Sequence, residues 1–211
     1  MRKFVAEFLG TFLLLSAIVG SGVMANNLTD NGALQLLMNA ITAVSMLTVI
    51  ISVFADFSGA HFNPVVSIHA FKQKQLSIYE FLGYLVAQLL GAIAGTLFTN
   101  QMFNLTFLQI SKSERINQGT FLGEFVATFG LLMVIYARPS KAAVMVPAWI
   151  GAAYFFTSST SFANPAVTVG RIFTDTYAGI APSSALPFIV AQLLGALILI
   201  YVAPKIFKEI K

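Results

Sequence analysis

The 211-residue chain is 57% hydrophobic and only 9% charged, against about a quarter charged residues in an ordinary soluble domain, which excludes a water-soluble globule and makes lipid the natural solvent. Its formal charge of +4 sits in short clusters between apolar stretches, a distribution that fits membrane topology and not a nucleic-acid partner. Cysteine is absent, so disulfides, thiolate metal sites and cysteine nucleophiles are excluded.

A helix of about 20 apolar residues matches the hydrocarbon thickness of a bilayer, and six runs qualify in chain order. The first covers residues 4–24, directly after Arg2 and Lys3. Alone it has the look of a signal peptide with a basic leader, yet its Glu-Phe-Leu-Gly-Thr-Phe at 7–12 has an internal counterpart, Glu-Phe-Val-Ala-Thr-Phe, at 124–129, which assigns it to the mature domain. The second run covers 34–54, and the third, 78–98, is followed by the polar stretch 111–119. The fourth, fifth and sixth cover 120–137, 142–156 and 186–202. Two further segments, around Asn63 and Asn164, are apolar but too short to span, and each is predicted to be a re-entrant half-helix.

Internal repetition sets the architecture. Besides the glutamate segments, Val-Ala-Gln-Leu-Leu-Gly-Ala stands unchanged at 86–92 and 190–196, and Asn63-Pro64-Val65-Val66 matches Asn164-Pro165-Ala166-Val167. The order is the same in both halves, giving a single membrane domain over 1–211 with repeat one at about 1–112 and repeat two at about 118–211. Three spans per half is an odd number, so the second half enters the membrane from the opposite side and the repeat is inverted. Lysine and arginine collect in cytoplasmic loops. Arg2, Lys3, Lys72, Lys74, Arg138, Lys141, Lys205, Lys208 and Lys211 fall on one side, and only Lys112, Arg115 and Arg171 on the other. Both termini are therefore expected in the cytoplasm of a cell with this protein in its plasma or inner membrane.

Asparagine caps the first free amides of a helix and proline suits its first position, so half-helices are predicted to begin at Asn63 and Asn164. Inverted symmetry brings the two starts together near the bilayer midplane, each with a partial positive charge and side-chain amide donors. A solute passing there must accept hydrogen bonds, and a cation meets two positive helix ends. Glu7 and Glu124 lie in equivalent spans, where an unpaired charge costs several kcal/mol.

The sequences Ser-Gly-Ala-His-Phe-Asn-Pro-Val at 58–65 and Ser-Phe-Ala-Asn-Pro-Ala at 161–166 resemble the paired Asn-Pro-Ala signatures of the major intrinsic proteins, the aquaporin and glycerol-channel family. The resemblance extends over nearly the whole chain. It implies an all-α membrane fold of six tilted helices and two half-helices, a pore in each subunit of a homotetramer, no cofactor, and bracing of the re-entrant loops by Glu7 and Glu124. A proton-relay role for these glutamates is the sharper alternative. His61 resembles the histidine of the family's Ala-His-x-Asn motif and is expected in the vestibule or tied to loop carbonyls, with a pH gate as a further option; His69 is expected to be structural. Val65, in place of the usual alanine, is expected to pack the contact between half-helices.

Many family members carry arginine directly after the second Asn-Pro-Ala; here Val167 stands there. Counting along the family pattern places the other filter positions near Ala43, Ala152 and Ser161, with no aromatic side chain narrowing the constriction. Such a filter is wider and more apolar than that of a strict water channel. Arg171, four residues after Val167 and on the same helical face, either aims its guanidinium back at the filter or lies at the surface beside Asp175. Gly91, Gly95 and Gly195 mark close helix packing, within one subunit or between subunits.

The expected function is a passive channel, and not an enzyme, for small uncharged solutes such as glycerol-like polyols and metalloid acids, arsenous acid among them, together with water. A strict water channel is the nearest alternative. A coupled secondary transporter also suits inverted repeats, and a structural membrane protein with a vestigial pore is the third class.

Overall fold

The structure, a computed structural model, describes residues 1–207. Lys208 and Lys211, counted above among the basic residues of one side, lie outside the described residues. Among the described residues eight α-helices follow in order: α1 (Arg2–Leu28), α2 (Gly32–Ser58), α3 (Pro64–Lys72), α4 (Ile78–Met102), α5 (Gln118–Ala137), α6 (Ala142–Phe156), α7 (Pro165–Gly170) and α8 (Pro182–Ile206). Helices α3 and α7 are the two half-helices, each opening on the proline of an Asn-Pro pair.

Most of the long helices outrun the apolar stretches that announce them, because backbone hydrogen bonding continues into polar ends such as Asn26 and Asp56. They stop and start at local chemistry. The Asn31 side chain accepts from the amides of Ala33 and Leu34 at the head of α2. Ser77 and Glu80 form a capping box on α4, and Asn117 and Thr120 do so on α5. Among the described residues, five helices are long and apolar enough to cross a membrane by themselves. Helix α6, the fifth predicted span, has 15 residues and reaches only about 22 Å at 1.5 Å per residue. A single 3-10 turn, Pro139–Lys141, leads into it.

Packing reproduces the repeat. Helix α1 lies along α4 as α5 lies along α8, while the halves join chiefly through α2 against α6 and α4 against α7. Glycines permit the two close crossings. A side chain on Gly91 or Gly95 would collide with the backbone of Phe8 or Phe12, and one on Gly195 with that of Phe125. The glycine spacing therefore serves packing inside the chain. Large apolar side chains such as Val53, Phe57, Leu90 and Leu194 cover the outside, as lipid contact requires.

Lys3 forms an ion pair of 2.8 Å with Glu80 at the head of α4, and the Phe207 ring lies tilted against Tyr136 at the end of α5, centroids 5.6 Å apart. The amino terminus and Phe207 thus share one face of the bundle. The loops 103–117 and 171–181 interlock on the opposite face, where Ser111 donates its amide to the carbonyl of Ile172 and Ala181 to that of Ser113.

Candidate functional site

The two Asn-Pro segments meet in the centre of the bundle. The Nδ2 of Asn63 donates to the carbonyl of Ala163 at 2.8 Å, and the Nδ2 of Asn164 donates to the carbonyl of Phe62 at 2.8 Å. Each Oδ1 meanwhile caps its own half-helix, Asn63 accepting from the amide of Val65 and Asn164 from those of Ala166 and Val167. An asparagine amide carries two N–H donors, so one remains on each residue after the cross-link. Both asparagines line a cavity of about 590 Å³.

Reaching this geometry requires unusual backbone. Gly59, Ala60 and Phe62 have positive φ angles of 82°, 52° and 48°, and Thr160, Ser161 and Ala163 match them at 62°, 53° and 49°. Left-handed conformations at non-glycine residues persist only where the surroundings enforce them, and here buried glutamates do so. Glu7 accepts the amide of His61 at 2.9 Å and that of Phe62 at 2.7 Å, with the Ser58 hydroxyl and the Gln88 amide completing its shell. Glu124 accepts the amides of Phe162 and Ala163 at 2.8 and 2.9 Å and the Gln192 amide at 2.6 Å. Gln88 also donates to Ser67 and Gln192 to Thr168, tying each half-helix to its brace. Charge-assisted bonds of this kind are about twice as strong as neutral ones.

Cavity walls come from both ends of the bundle, from Gln73 and Pro139 on the terminal face to Ser161 and Arg171 near the other. Ala43, Ser161 and Val167, three of the four counted positions, border it. Ala152 does not: it is exposed on the outside of α6, and Val146, Ile150 and Tyr154 face the cavity in its place. Residues four apart share a helical face, whereas Ala152 follows Ile150 by two steps of about 100° and so points away. Aromatic groups also reach the cavity wall, Tyr154 and Phe162 among them. The spacing Val146, Ile150, Tyr154 was the signal available for this face.

Within the Asn-Pro motifs only the asparagines touch the cavity; Pro64, Val65, Pro165 and Ala166 are buried behind them. Val65 does not border the cavity. It is fully buried in a cluster with Leu132 of α5 and Ala196 and Leu199 of α8. His61 borders the cavity with its Nδ1 3.1 Å from the Ser67 hydroxyl, a side-chain partner and not a loop carbonyl. His69 borders it as well, where a purely structural role was expected: α3 turns this residue toward Tyr136 of α5, ring centroids 5.8 Å apart.

Arg171 is only 3% exposed and borders the cavity. The surface placement beside Asp175 does not occur, for Asp175 accepts the amide of Lys112. The Arg171 amide donates to the carbonyl of Val167, continuing the turn of α7, and the guanidinium carbon lies 3.5 Å from the centroid of the Phe162 ring. Its Nε donates to the carbonyl of Ala178; its terminal amino groups have no hydrogen-bond partner among the described residues. Arg115, a cation of the loop 103–117 with no predicted role in the site, stands 5.7 Å from the same ring. Beside it, the hydroxyls of Ser183 and Ser184 hold the Glu114 carboxyl below its ordinary range, and burial pushes the Arg115 guanidinium below its own.

Comparison with known proteins gives the family and the fold. The model of the family described as Major intrinsic protein matches residues 1–160. The chain is 46% identical to aquaglyceroporin AqpS of Rhizobium meliloti over 199 residues, 92% of this chain and 85% of the relative. It is 32% identical to a probable aquaporin TIP-type of Medicago truncatula over 187 residues, 81% of this chain and 74% of that one. Among solved structures, the aquaglyceroporin from Plasmodium falciparum superposes with a TM-score of 0.72 at 24% identity, covering 98% of this chain and 96% of its own. That likeness establishes the fold.

Proposed function

The chain belongs to the major intrinsic protein family, and from that premise we propose a passive transmembrane channel that conducts small uncharged solutes, glycerol-like polyols and metalloid acids such as arsenous acid, as well as water. The observation that carries this reading is the pair Asn63 and Asn164, cross-linked at the centre of one cavity with a side-chain donor left on each. Two half-helix starts facing one another oppose cations, and neutral solutes trade water hydrogen bonds for those of the amides. The proposed filter is Ala43, Ile150, Ser161 and Val167, with Arg171 at its edge and His61 in the vestibule. Small residues at Ala43 and Ser161 favour solutes wider than water.

A strict water channel is the second reading, and one observation favours it: Arg171, Tyr154 and Phe162 all border the same cavity and add bulk that the valine at position 167 alone would not. We further propose homotetramers, each subunit with its own pore, in a plasma or inner membrane with both termini cytoplasmic. The basic residues on the terminal face, Lys72, Lys74, Arg138 and Lys141 among them, support that orientation. That the family and the named relatives are channels supports a conducting role over a catalytic one.

Stopped-flow light scattering of proteoliposomes separates the two readings. Protein-dependent glycerol influx alongside water efflux is the expected result, and water flux without glycerol entry would leave the strict water channel standing.

A further inference from the structure

We propose that Arg115 is a positioning residue for the selectivity of this channel, acting through Arg171. Arg115, from the connection between the repeats, and Arg171, from the second repeat, seize one three-residue stretch of the loop 174–181. Arg115 donates from Nε to the carbonyl of Gly179 at 2.6 Å and from a terminal amino group to the carbonyl of Tyr177 at 2.7 Å. Between those two, the carbonyl of Ala178 accepts from the Nε of Arg171. The outer carbonyls are thus fixed by one guanidinium and the middle one by the other.

The clamp is itself anchored. The amide of Arg115 donates to the Ser184 hydroxyl at 2.9 Å, and Glu114 accepts the hydroxyls of Ser183 and Ser184 at 2.6 and 2.7 Å. Gly179 has room for the arrangement only because it lacks a side chain, which would strike the Thr174 carbonyl and the Ser111 hydroxyl. The Phe162 ring lies under Arg171 and near Arg115, its negative face offsetting the repulsion between two cations. A guanidinium is a planar fork, so holding its Nε fixes where its terminal amino groups point. Arg115 does not border the cavity; whatever it contributes to selectivity passes through the loop carbonyls to Arg171.

This inference rests on the reading that Arg171 edges the conducting path, and a double-mutant cycle tests the two separately. Wild type, Arg171→Ala, Arg115→Met and the double variant are reconstituted, and sodium leak is measured against water permeability per folded protein. Arg171→Ala is expected to raise the sodium-to-water ratio about tenfold, the effect of one charge at roughly 10 Å and an effective dielectric near 20. Arg115→Met is expected to raise it by about half of that on a logarithmic scale, roughly threefold, and to add nothing in the Arg171→Ala background. Arg115→Lys keeps the charge but replaces the rigid planar fork with a flexible point donor, so it is expected to leak like the methionine variant and serves if that one misfolds. An unchanged ratio in Arg171→Ala would overturn the pore reading itself. A normal Arg171→Ala effect with no effect of Arg115 variants, or with equal effects of Arg115→Met in both backgrounds, would overturn the positioning role alone.

Discussion

Replacing Glu124 with leucine is expected to remove most of the folded protein. The carboxylate is fully buried and accepts the amides of Phe162 and Ala163 and the side-chain amide of Gln192. Leucine fills a similar volume and accepts nothing, leaving three buried donors without a partner at about 1–3 kcal/mol each. Against a domain stability of about 5–15 kcal/mol that loss is large. It also falls on the segment whose residues Ser161 and Ala163 hold positive φ angles, so the half-helix start loses its restraint. Glutamine at the same position keeps one accepting oxygen and turns an N–H toward a backbone N–H, so an intermediate loss is expected. Thermal unfolding of detergent-solubilised protein, followed by size-exclusion elution, gives the order wild type, Glu124→Gln, Glu124→Leu. Equal midpoints for all three would refute the bracing role. A proton relay predicts a different pattern, namely normal stability with altered proton coupling.

Asn164→Asp separates the two jobs of the central asparagine. Aspartate is as good a helix cap as asparagine, so the amides of Ala166 and Val167 keep an acceptor and the fold is expected to survive. The donor to the Phe62 carbonyl is lost, and with it the free N–H in the cavity. A carboxylate there also cancels part of the positive potential of the half-helix starts. Neutral-solute flux is expected to fall about tenfold, the equivalent of one hydrogen bond worth about 1.4 kcal/mol, while cation leak rises. Asn164→Leu is expected to lose flux and, through the cap, a further 0.5–2 kcal/mol or about that of stability. Unchanged solute flux in the aspartate variant would show that the asparagine amide takes no part in conduction.

Much of this architecture was legible in the chain, because the features that carried it are local or repeated. The Asn-Pro pairs announce helix starts through capping chemistry alone, and the duplicated Glu7 and Glu124 segments demand buried partners wherever they lie. Gln88 and Gln192, in the repeated seven-residue run, turn out to be among those partners. The misplacement of Ala152 has a different origin. A count back from Asn164 fixes distance along the chain, whereas the wall residue of α6 is set by the phase of that helix, which depends on how the loop 157–163 folds. Tyr154 and Ile150 escaped for that reason. His69 reaches the cavity through the tilt of α3 against α5, and Arg171 is held inward by Ala178 and Phe162, neither of which its own neighbours in sequence reveal.

The most direct test of passive conduction is tracer glycerol uptake into proteoliposomes under an imposed proton or sodium gradient, with and without an ionophore that dissipates it. The channel account predicts equilibration to equal concentrations at a rate the ionophore does not change, and an about tenfold slower approach to it in Asn164→Asp. Accumulation of glycerol above the outside concentration, abolished by the ionophore, would contradict it and make the protein a coupled transporter.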